Sequence, residues 1–296
     1  MLDEVDPGWL AHFARVLRVD RTGWYRPATK QLKRDEIALR QIEQTHLEHR
    51  FYGVARLALH LSWSKNKTRR IRNLAGIKIP TPAKKYKYKK SGKAEIDTPP
   101  NILHNYAVFK NKERPQEGMD YSGMTNIVAW VQDFTYIRFE QSFCYLAGVI
   151  NLKTREMAGW RLGTNHSSDL TYSALLDALS KHNAPAILHS DQGSEYLSYK
   201  HQLLCQRLEI QLSVSNKGSP WQNGFMERFM LTFKHELGPI SSFKGLAELH
   251  EAIALQIHYY NTKRIHTALK MSPVAYATSL TTKELKRDKV LHEMGG

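Results

Sequence analysis

The chain has 296 residues, of which 42% are hydrophobic and 10% aromatic, so it is long enough for two domains and too apolar for a disordered protein. Its two cysteines exclude a disulfide framework and a cysteine-rich zinc site. No run of eighteen apolar residues occurs and the N-terminus lacks an apolar core, so we expect a cytoplasmic protein without a membrane span or secretory signal. The net charge of +15 predicts a polyanionic partner.

The positive charge is concentrated in one part of the chain. Residues 30–93 contain 18 Lys/Arg and 4 Asp/Glu, a net +14, whereas residues 124–240 contain 10 of each. A protein whose lysines are only solvated would spread the excess more evenly. The basic part therefore predicts a nucleic-acid-binding unit that is separate from the more acidic part.

Residues 1–77 predict a helical N-terminal region, within which residues 35–77 form a compact module. The pattern from Asp35 to Arg50 is typical of an amphipathic surface helix. Two shorter helical patterns follow, separated by polar residues 62–66, which is the layout of a helix-turn-helix. The apolar residues expected to be buried there are Val54, Leu57, Leu61, Ile71 and Leu74.

The second of these short helices is rich in arginine, and we expect it to contact DNA through Arg69, Arg70 and Arg72. A plain helical hairpin with a basic surface is the alternative. Residues 78–118 follow as a linker with an irregular lead-in, rich in proline and lysine. Lysines alternating with Tyr86 and Tyr88 suit a phosphate backbone and stacking on bases, although a solvated spacer is the alternative. The expected contacts are Lys84, Lys85, Lys87, Lys89 and Lys90.

Residues 119–280 have the pattern of an α/β domain, and residues 281–296 form a charged tail. Strand-like runs at 126–139 and 142–152 are joined by a predicted turn at Gln141 and Ser142, and a third strand covers 156–163. Helices predicted at 169–182, 196–208 and 224–237 alternate with strands at 186–190 and 209–215, and Ser167 or Ser168 caps the first of them. This order predicts a ribonuclease-H-like fold with a mixed sheet and flanking helices.

Three carboxylates occupy informative positions in this domain. Asp133 lies within an apolar strand, where an uncompensated charge is costly. Asp191 directly follows a short apolar strand, although a turn aspartate is an equal alternative because Asp-Gln-Gly favours turns. Glu227 lies on a helix whose other face is apolar, and it shares its polar face with Lys234 two turns later.

Carboxylates at a strand, a strand end and a helix can together bind two divalent metal ions. Such ions, about 3.5–4 Å apart, stabilise the attacking and leaving oxygens in phosphodiester cleavage. The three residues are therefore predicted to hold Mg²⁺ or Mn²⁺, two ions per site, for phosphoryl-transfer chemistry.

Four segments carry a family resemblance: WVQDFTYI, HSDQGSEY, SNKGSPWQNGFMERF with LTFKHEL, and YNTKRIHTALKMSPVAY. They resemble the retroviral-integrase-like transposases of the bacterial IS3 family over roughly residues 35–277. The 35 residues between Asp191 and Glu227 match the DD(35)E spacing of that family.

The resemblance implies that Asp133, Asp191 and Glu227 are the catalytic and metal-binding triad. It implies that Lys234 lies near transposon-end DNA, and we also expect the loop residue Lys217 to contact DNA. The positions similar to supporting residues of the family's active site are His189, Ser190, Gly193 and Asn223. Arg264 and His266 lie where the family closes its catalytic domain, although His266 is equally well explained as a structural histidine.

The resemblance also implies a reaction and partners. A water cleaves one strand at a transposon end, and the freed 3′-hydroxyl then attacks target DNA. The expected partners are DNA ends and target DNA, further copies of this chain in a homo-oligomer, and an upstream-encoded helix-turn-helix or zipper product, at the nucleoid.

The chain departs from the family in places that do not touch the triad. Asn151 stands where the family often has aspartate, and Trp221-Gln222-Asn223 replaces a frequent Tyr-Asp-Asn. It has neither the zinc domain of retroviral integrases nor a zipper pattern at its start. Two other functions stay open until activity is measured, namely a nuclease of the same fold that only hydrolyses DNA and a non-catalytic DNA-binding regulator.

Overall fold

The computed structural model describes residues 12, 15, 16, 29–80, 98–111, 113, 119–121, 124 and 127–282. The chain divides into two compact units, residues 1–80 and 81–296. Within the described ranges, no helix has the length and apolar character needed to cross a bilayer.

Within residues 29–80, the first unit forms three helices: α1 (Thr29–Glu48), α2 (Val54–His60) and α3 (Lys65–Leu74). Ile42, Leu57 and Ile71 are fully buried and form its small core. The hydroxyl of Ser64 caps α3 by accepting a hydrogen bond from the backbone N–H of Lys67 at 3.2 Å. The prediction that Leu74 is buried was wrong, because it lies in the last turn of α3 beyond the core contacts and is 59% exposed.

The second unit is built on a five-stranded mixed sheet. Its strands are β3 (Ala129–Phe139), β4 (Ser142–Asn151), β5 (Met157–Gly163), β6 (Ile187–Ser190) and β7 (Gln211–Val214), in the order β5-β4-β3-β6-β7. β3, β4 and β5 pair antiparallel, whereas β6 pairs parallel with β3 and with β7. Before this sheet come a short 3-10 helix (Leu103–Tyr106) and a two-stranded antiparallel ribbon of β1 (Val108–Phe109) and β2 (Met119–Asp120).

Helices cover both faces of the sheet. One face packs against α4 (Ser168–Leu179) and α5 (Tyr199–Arg207), and the other packs against α6 (Gly224–Leu237) and α7 (Leu246–Thr262). Gly159 lets β5 approach α4 closely, since a Cβ there would lie 2.3 Å from the backbone nitrogen of Ala178. The result is the predicted ribonuclease-H-like α/β fold, with α6 across the strand that carries Asp133.

The elements predicted within residues 126–237 occur in the predicted order and differ only at their ends, whereas the β1–β2 ribbon and α7 were not predicted. α6 begins and ends at the expected residues, and Ser167 rather than Ser168 caps α4. The β3–β4 turn consists of Glu140 and Gln141, one residue earlier than predicted, because Phe139 pairs with Ser142. α5 begins at Tyr199 rather than at residue 196.

The end of α7 fastens the outer edge of the sheet. The side-chain amide of Asn261 accepts a hydrogen bond from the backbone N–H of Met157 and donates one to its carbonyl, both at 3.0 Å. The hydroxyl of Tyr260 donates to the carbonyl of Arg155 at 2.8 Å. Tyr260 and Asn261, near the C-terminal end of α7, therefore hold this helix against the β4–β5 hairpin.

Candidate functional site

The sheet register brings Asp133 and Asp191 together. β3 and β6 run parallel as neighbours, and Val131 pairs with His189. Asp133 and Asp191 each lie two residues beyond this pair, so they occupy the same level of two adjacent strands. Asp133 is partly buried and Asp191 is exposed.

Helix α6 presents Glu227 to the same face of the sheet. Its buried residues Met226, Phe229, Met230 and Phe233 pack into the core below β3, whereas Glu227 in its first turn is exposed. Asn223, immediately before the helix, donates from Nδ2 to the carbonyl of Gln132 at 3.1 Å. This hydrogen bond fixes the start of α6 next to the strand residue that precedes Asp133.

Asp133 lies within electrostatic reach of three other carboxylates. Burial raises the pKa of Asp133 well above its ordinary value, and the negative charges of Asp191, Glu195 and Glu227 raise it further. The backbone N–H of Phe134, which donates to its Oδ1 at 2.8 Å, acts in the opposite direction. Residues from β3, the β6 end and α6 therefore repel one another at a common centre.

Such a centre suits a divalent cation, because carboxylate oxygens are the preferred ligands of Mg²⁺ and Mn²⁺ and the cation would neutralise this repulsion. Across the described ranges, however, no three His, Cys, Asp or Glu side chains are gathered into a complete metal-binding group. The donor types therefore fit a divalent cation, while the carboxylates stand as neighbours and not as a closed set of ligands.

The loop after β6 holds Asp191 in place through Gly193 and Ser190. The backbone N–H of Gly193 donates to Asp191 Oδ1 at 3.0 Å, and the Ser190 hydroxyl donates to the Asp191 carbonyl at 2.9 Å. A Cβ on Gly193 would lie 2.3 Å from Glu195 Oε1 and 3.0 Å from Asp191 Oδ1. A side chain at this position would therefore require the Glu195 carboxylate to move.

His189 is a structural residue below the site. Its two ring nitrogens contact the hydroxyls of Ser213 and Ser215, each at 2.9 Å, and burial lowers its pKa to about 4. It is therefore neutral at physiological pH and ties β6 to β7.

Gln222 extends this buried network to α6. Its Oε1 accepts from Asn101 Nδ2 at 2.8 Å and from the backbone N–H of Asn216 at 2.6 Å, and Asn101 Oδ1 in turn contacts the Ser213 hydroxyl at 3.4 Å. The glutamine noted as a departure from the family pattern is thus a buried anchor of the segment that leads into Glu227.

Sequence reasoning missed three residues at this site: Glu195, Tyr196 and His166. Glu195 is buried, and its Oε1 lies 3.3 Å from His166 Nε2 and its Oε2 3.4 Å from the Ser194 hydroxyl. The His166 ring packs among aromatic side chains of β3 and β4, 4.2 Å from Phe134 between ring centroids. The position of Glu195 in HSDQGSEY was the available indication, because that segment carries Asp191.

The hydroxyl of Tyr196 has an unusual environment. Tyr196 is 2% exposed, and its hydroxyl oxygen has no hydrogen-bond partner among the residues that the structure describes. Burial and then the charges of Asp133, Asp191 and Glu195 raise its pKa well above the ordinary value. Leaving such a group unsatisfied costs about 1–3 kcal/mol.

Of the predicted basic residues near the triad, Lys234 lies at the site. Burial lowers its pKa, and the charge of Asp133 counteracts that shift, which places the ammonium group within electrostatic reach of the strand carboxylate. Lys217 is exposed in the turn between β7 and the 3-10 helix Pro220–Asn223.

The three arginines of α3 are not equivalent. Arg70 makes a bidentate ion pair with Asp35 of α1 through Nη1–Oδ2 and Nη2–Oδ1 contacts of 2.5 and 2.7 Å. Arg69 is exposed, and its Nη1 lies 3.4 Å from Asn66 Oδ1, whereas Arg72 is partly buried. The five linker lysines, residues 84, 85, 87, 89 and 90, lie outside the described residues.

Comparisons with known proteins identify a family for this chain, with the family-model matches in the second unit. Two family models described as "Integrase core domain" match residues 126–220 and 208–273. The transposase for insertion sequence element IS904 of Lactococcus lactis is 32% identical over 252 residues, covering 82% of this chain and 94% of its own length. The putative transposase InsK for IS150 of Escherichia coli is 29% identical, and the match covers 90% of this chain and 93% of its own length.

The insertion element IS600 31 kDa protein of Shigella sonnei is 28% identical, covering 88% of this chain and 96% of its own. Among solved structures, the HTLV-2 integrase catalytic core domain in complex with magnesium matches 50% of this chain and 94% of its own, with 19% identity and a TM-score of 0.43. A chain of a simian T-cell lymphotropic virus intasome structure matches 78% of this chain and 72% of its own length, with 17% identity and a TM-score of 0.46.

Proposed function

The chain belongs to the IS3 family of DDE transposases, which are metal-dependent polynucleotidyl transferases, and from this membership we propose that Asp133, Asp191 and Glu227 form its catalytic centre. The observation that supports this assignment is the convergence of carboxylates from three elements on Asp133, whose pKa they raise.

We propose that the three carboxylates hold two Mg²⁺ or Mn²⁺ ions. When bound, the ions stabilise the attacking and leaving oxygens of an in-line displacement at phosphorus. The chain supplies the fixed positions for them: Asp133 and Asp191 from adjacent strands, and Glu227 from a helix anchored by Asn223. Because Asp191 and Glu227 are exposed, a DNA backbone can reach the centre.

The reaction then has two steps, and in each of them one phosphorus–oxygen bond forms as another breaks. In the first step, a water oxygen attacks phosphorus at the transposon end, the bond from phosphorus to the 3′ oxygen breaks, and a 3′-hydroxyl is released. In the second step, that hydroxyl attacks a target phosphodiester and a new phosphorus–oxygen bond replaces the old one. Lys234 and Lys217 would contact DNA phosphates beside the centre.

The first unit is proposed to hold DNA through α3. This helix carries five basic residues and no acidic ones, and its core-facing residues are Thr68 and Ile71. Arg69 lies on the opposite, exposed face, so it is the arginine best placed for a phosphate contact. The linker lysines of residues 84–90 remain proposed backbone contacts.

Arg69→Ala is expected to weaken DNA binding and to reduce its salt dependence by about one phosphate contact, because the released counterions scale with contacts. Arg70→Ala is the matched control within the same helix. Since its guanidinium is bound to Asp35, its loss should mainly lower the thermal midpoint of unfolding and should change DNA affinity less than Arg69→Ala does. Fluorescence anisotropy at several salt concentrations measures the affinity and its salt dependence, and thermal unfolding measures the midpoint. Equal losses of affinity for the two variants would contradict the assignment.

We further propose that the chain acts as a homo-oligomer on two transposon ends, in the bacterial cytoplasm at the nucleoid, with or without an upstream-encoded DNA-binding product. The charge division of the chain supports a DNA-holding unit separate from a DNA-cutting one.

A strand-transfer assay tests the proposed activity. Labelled transposon ends, target DNA and Mg²⁺ are incubated with the wild type and with Asp191→Ala or Glu227→Ala. The wild type is expected to give cleaved and joined products and the variants neither. Cleavage without joining would favour a nuclease, absence of both in the wild type would favour a non-catalytic DNA-binding protein, and active variants would refute the triad.

A further inference from the structure

The Tyr196 hydroxyl needs an acceptor that the described part of the chain does not provide. It is buried, it has no hydrogen-bond partner there, and it belongs to the turn that follows Asp191. The backbone N–H of Tyr196 donates to the carbonyl of Gly193 at 3.1 Å, which fixes the residue directly behind the glycine that separates Asp191 from Glu195.

The ring of Tyr196 is held from the opposite side. It makes an edge contact with His201, 6.2 Å between centroids, and His201 Nε2 lies 3.2 Å from Gln132 Oε1 on β3. Burial lowers the pKa of His201 to about 4, so this neighbour is neutral and supplies no charge to the site. The phenol is therefore fixed between β3 and the Asp191 loop.

The groups that act on the hydroxyl are carboxylates. Asp133 acts most strongly, followed by Asp191 and Glu195. Glu195 already contacts His166 and Ser194, and Asp191 is exposed to solvent. Asp133 is partly buried and follows Gln132 on β3, the strand to which His201 connects the Tyr196 ring. Asp133 is therefore the acceptor that the arrangement favours.

We propose that Tyr196 is a positioning residue of the catalytic centre: when a divalent cation is bound, its hydroxyl donates to the Asp133 carboxylate and holds that carboxylate in the orientation that binds the cation. This inference rests on the proposed function of the triad. Carboxylates that bind metals are in turn hydrogen-bonded, and losing such an outer partner typically weakens metal binding by about 10–100-fold.

Tyr196→Phe separates this role from a structural one. Without divalent cations the hydroxyl makes no hydrogen bond, so its loss should leave the urea midpoint unchanged or higher. With Mn²⁺, the dissociation constant should rise by about tenfold or more. Free Mn²⁺ is counted by electron paramagnetic resonance in titrations of the full chain, and unfolding is followed in EDTA.

Tyr260→Phe is the matched control, because it removes a buried hydroxyl that does donate, to the Arg155 carbonyl, away from the carboxylates. It should lower the urea midpoint and leave Mn²⁺ affinity unchanged. If Tyr196→Phe binds Mn²⁺ as tightly as the wild type, or loses as much stability as Tyr260→Phe, the inference is overturned.

Asp133→Asn distinguishes this failure from failure of the triad. If the wild type binds no Mn²⁺, or if Asp133→Asn binds it equally well, the proposed centre itself is wrong and the role of Tyr196 falls with it. If Asp133→Asn loses Mn²⁺ binding and Tyr196→Phe keeps it, the triad stands and only the positioning role is lost.

Discussion

Asp133→Asn is expected to reduce strand cleavage and joining by a factor on the order of 10³ or more while stabilising the cation-free protein. The amide has nearly the shape of the carboxylate but does not carry the charge that binds a cation. Its neutrality also relieves the repulsion from Asp191, Glu195 and Glu227 that raises the pKa of Asp133. Activity and stability should therefore change in opposite directions, which is measured by strand transfer and by urea unfolding in EDTA.

The same residue predicts a pH dependence with a defined sign. Its pKa in the folded chain is raised above the ordinary value of 3.8, so between these two values the folded chain binds a proton more tightly than the unfolded chain. The stabilising contribution is fully present below 3.8 and is lost as the pH rises through the raised pKa. Saturating Mg²⁺ should remove this loss, because the cation compensates the charge.

Asp169→Asn is a suitable control, since Asp169 is 75% exposed and pairs with Lys200 on the surface at 2.8 Å. Its replacement should change neither activity nor the pH slope appreciably. A cation-free pH slope that is the same in the wild type and in Asp133→Asn would show that Asp133 titrates normally. An Asp133→Asn protein that still joins DNA ends would remove it from the catalytic centre.

Arg264→Ala is expected to destabilise the second unit by about 3–5 kcal/mol, because it leaves Glu236 buried without its cationic partner. The pair is almost fully enclosed, with side chains 4% and 5% exposed, and Arg264 Nη2 and Nε reach the Glu236 oxygens at 2.6 and 2.7 Å. Glu236 lies on α6, the helix that begins next to Glu227. Urea unfolding of the purified variants measures the loss.

Two further variants interpret this result. Arg161→Ala removes a half-exposed partner of Asp177 and should cost at most about 1 kcal/mol. The double variant Arg264→Met with Glu236→Leu should recover most of the stability, since apolar residues of similar volume can replace a buried ion pair. If Arg264→Ala costs no more than Arg161→Ala, the buried pair does not stabilise the closure of the domain.

Local patterns predicted the main elements of the fold because periodicity reports directly which face of an element is buried. The apolar residues of α6 recur with helical spacing, which defined Gly224–Leu237 and left Glu227 on the exposed face. Asp191 was ambiguous as a single residue, since a turn aspartate and a site aspartate have the same local sequence. The parallel register of β3 and β6, a long-range property, places it beside Asp133.

Side-chain partners distant in sequence were not predictable in this way. Asp35 pairs with Arg70, which lies 35 positions later in the chain, so the arginines of α3 looked alike in sequence and differ in the structure. The contact between Glu195 and His166 likewise depends on the packing of a loop against β3 and β4. Leu74 was assigned to the core from spacing alone, whereas the end of α3 leaves it uncovered.

The Asn261 amide also affects how copies of this chain can associate. β5 is an edge strand, and an uncovered edge offers backbone groups on which a strand from another molecule can pair. At Met157 those groups are already bonded to a side chain that imitates a neighbouring strand. A second copy extending the sheet from the start of β5 would first have to displace Asn261. At this point of the edge, Asn261 therefore occupies the backbone groups that a further strand would need.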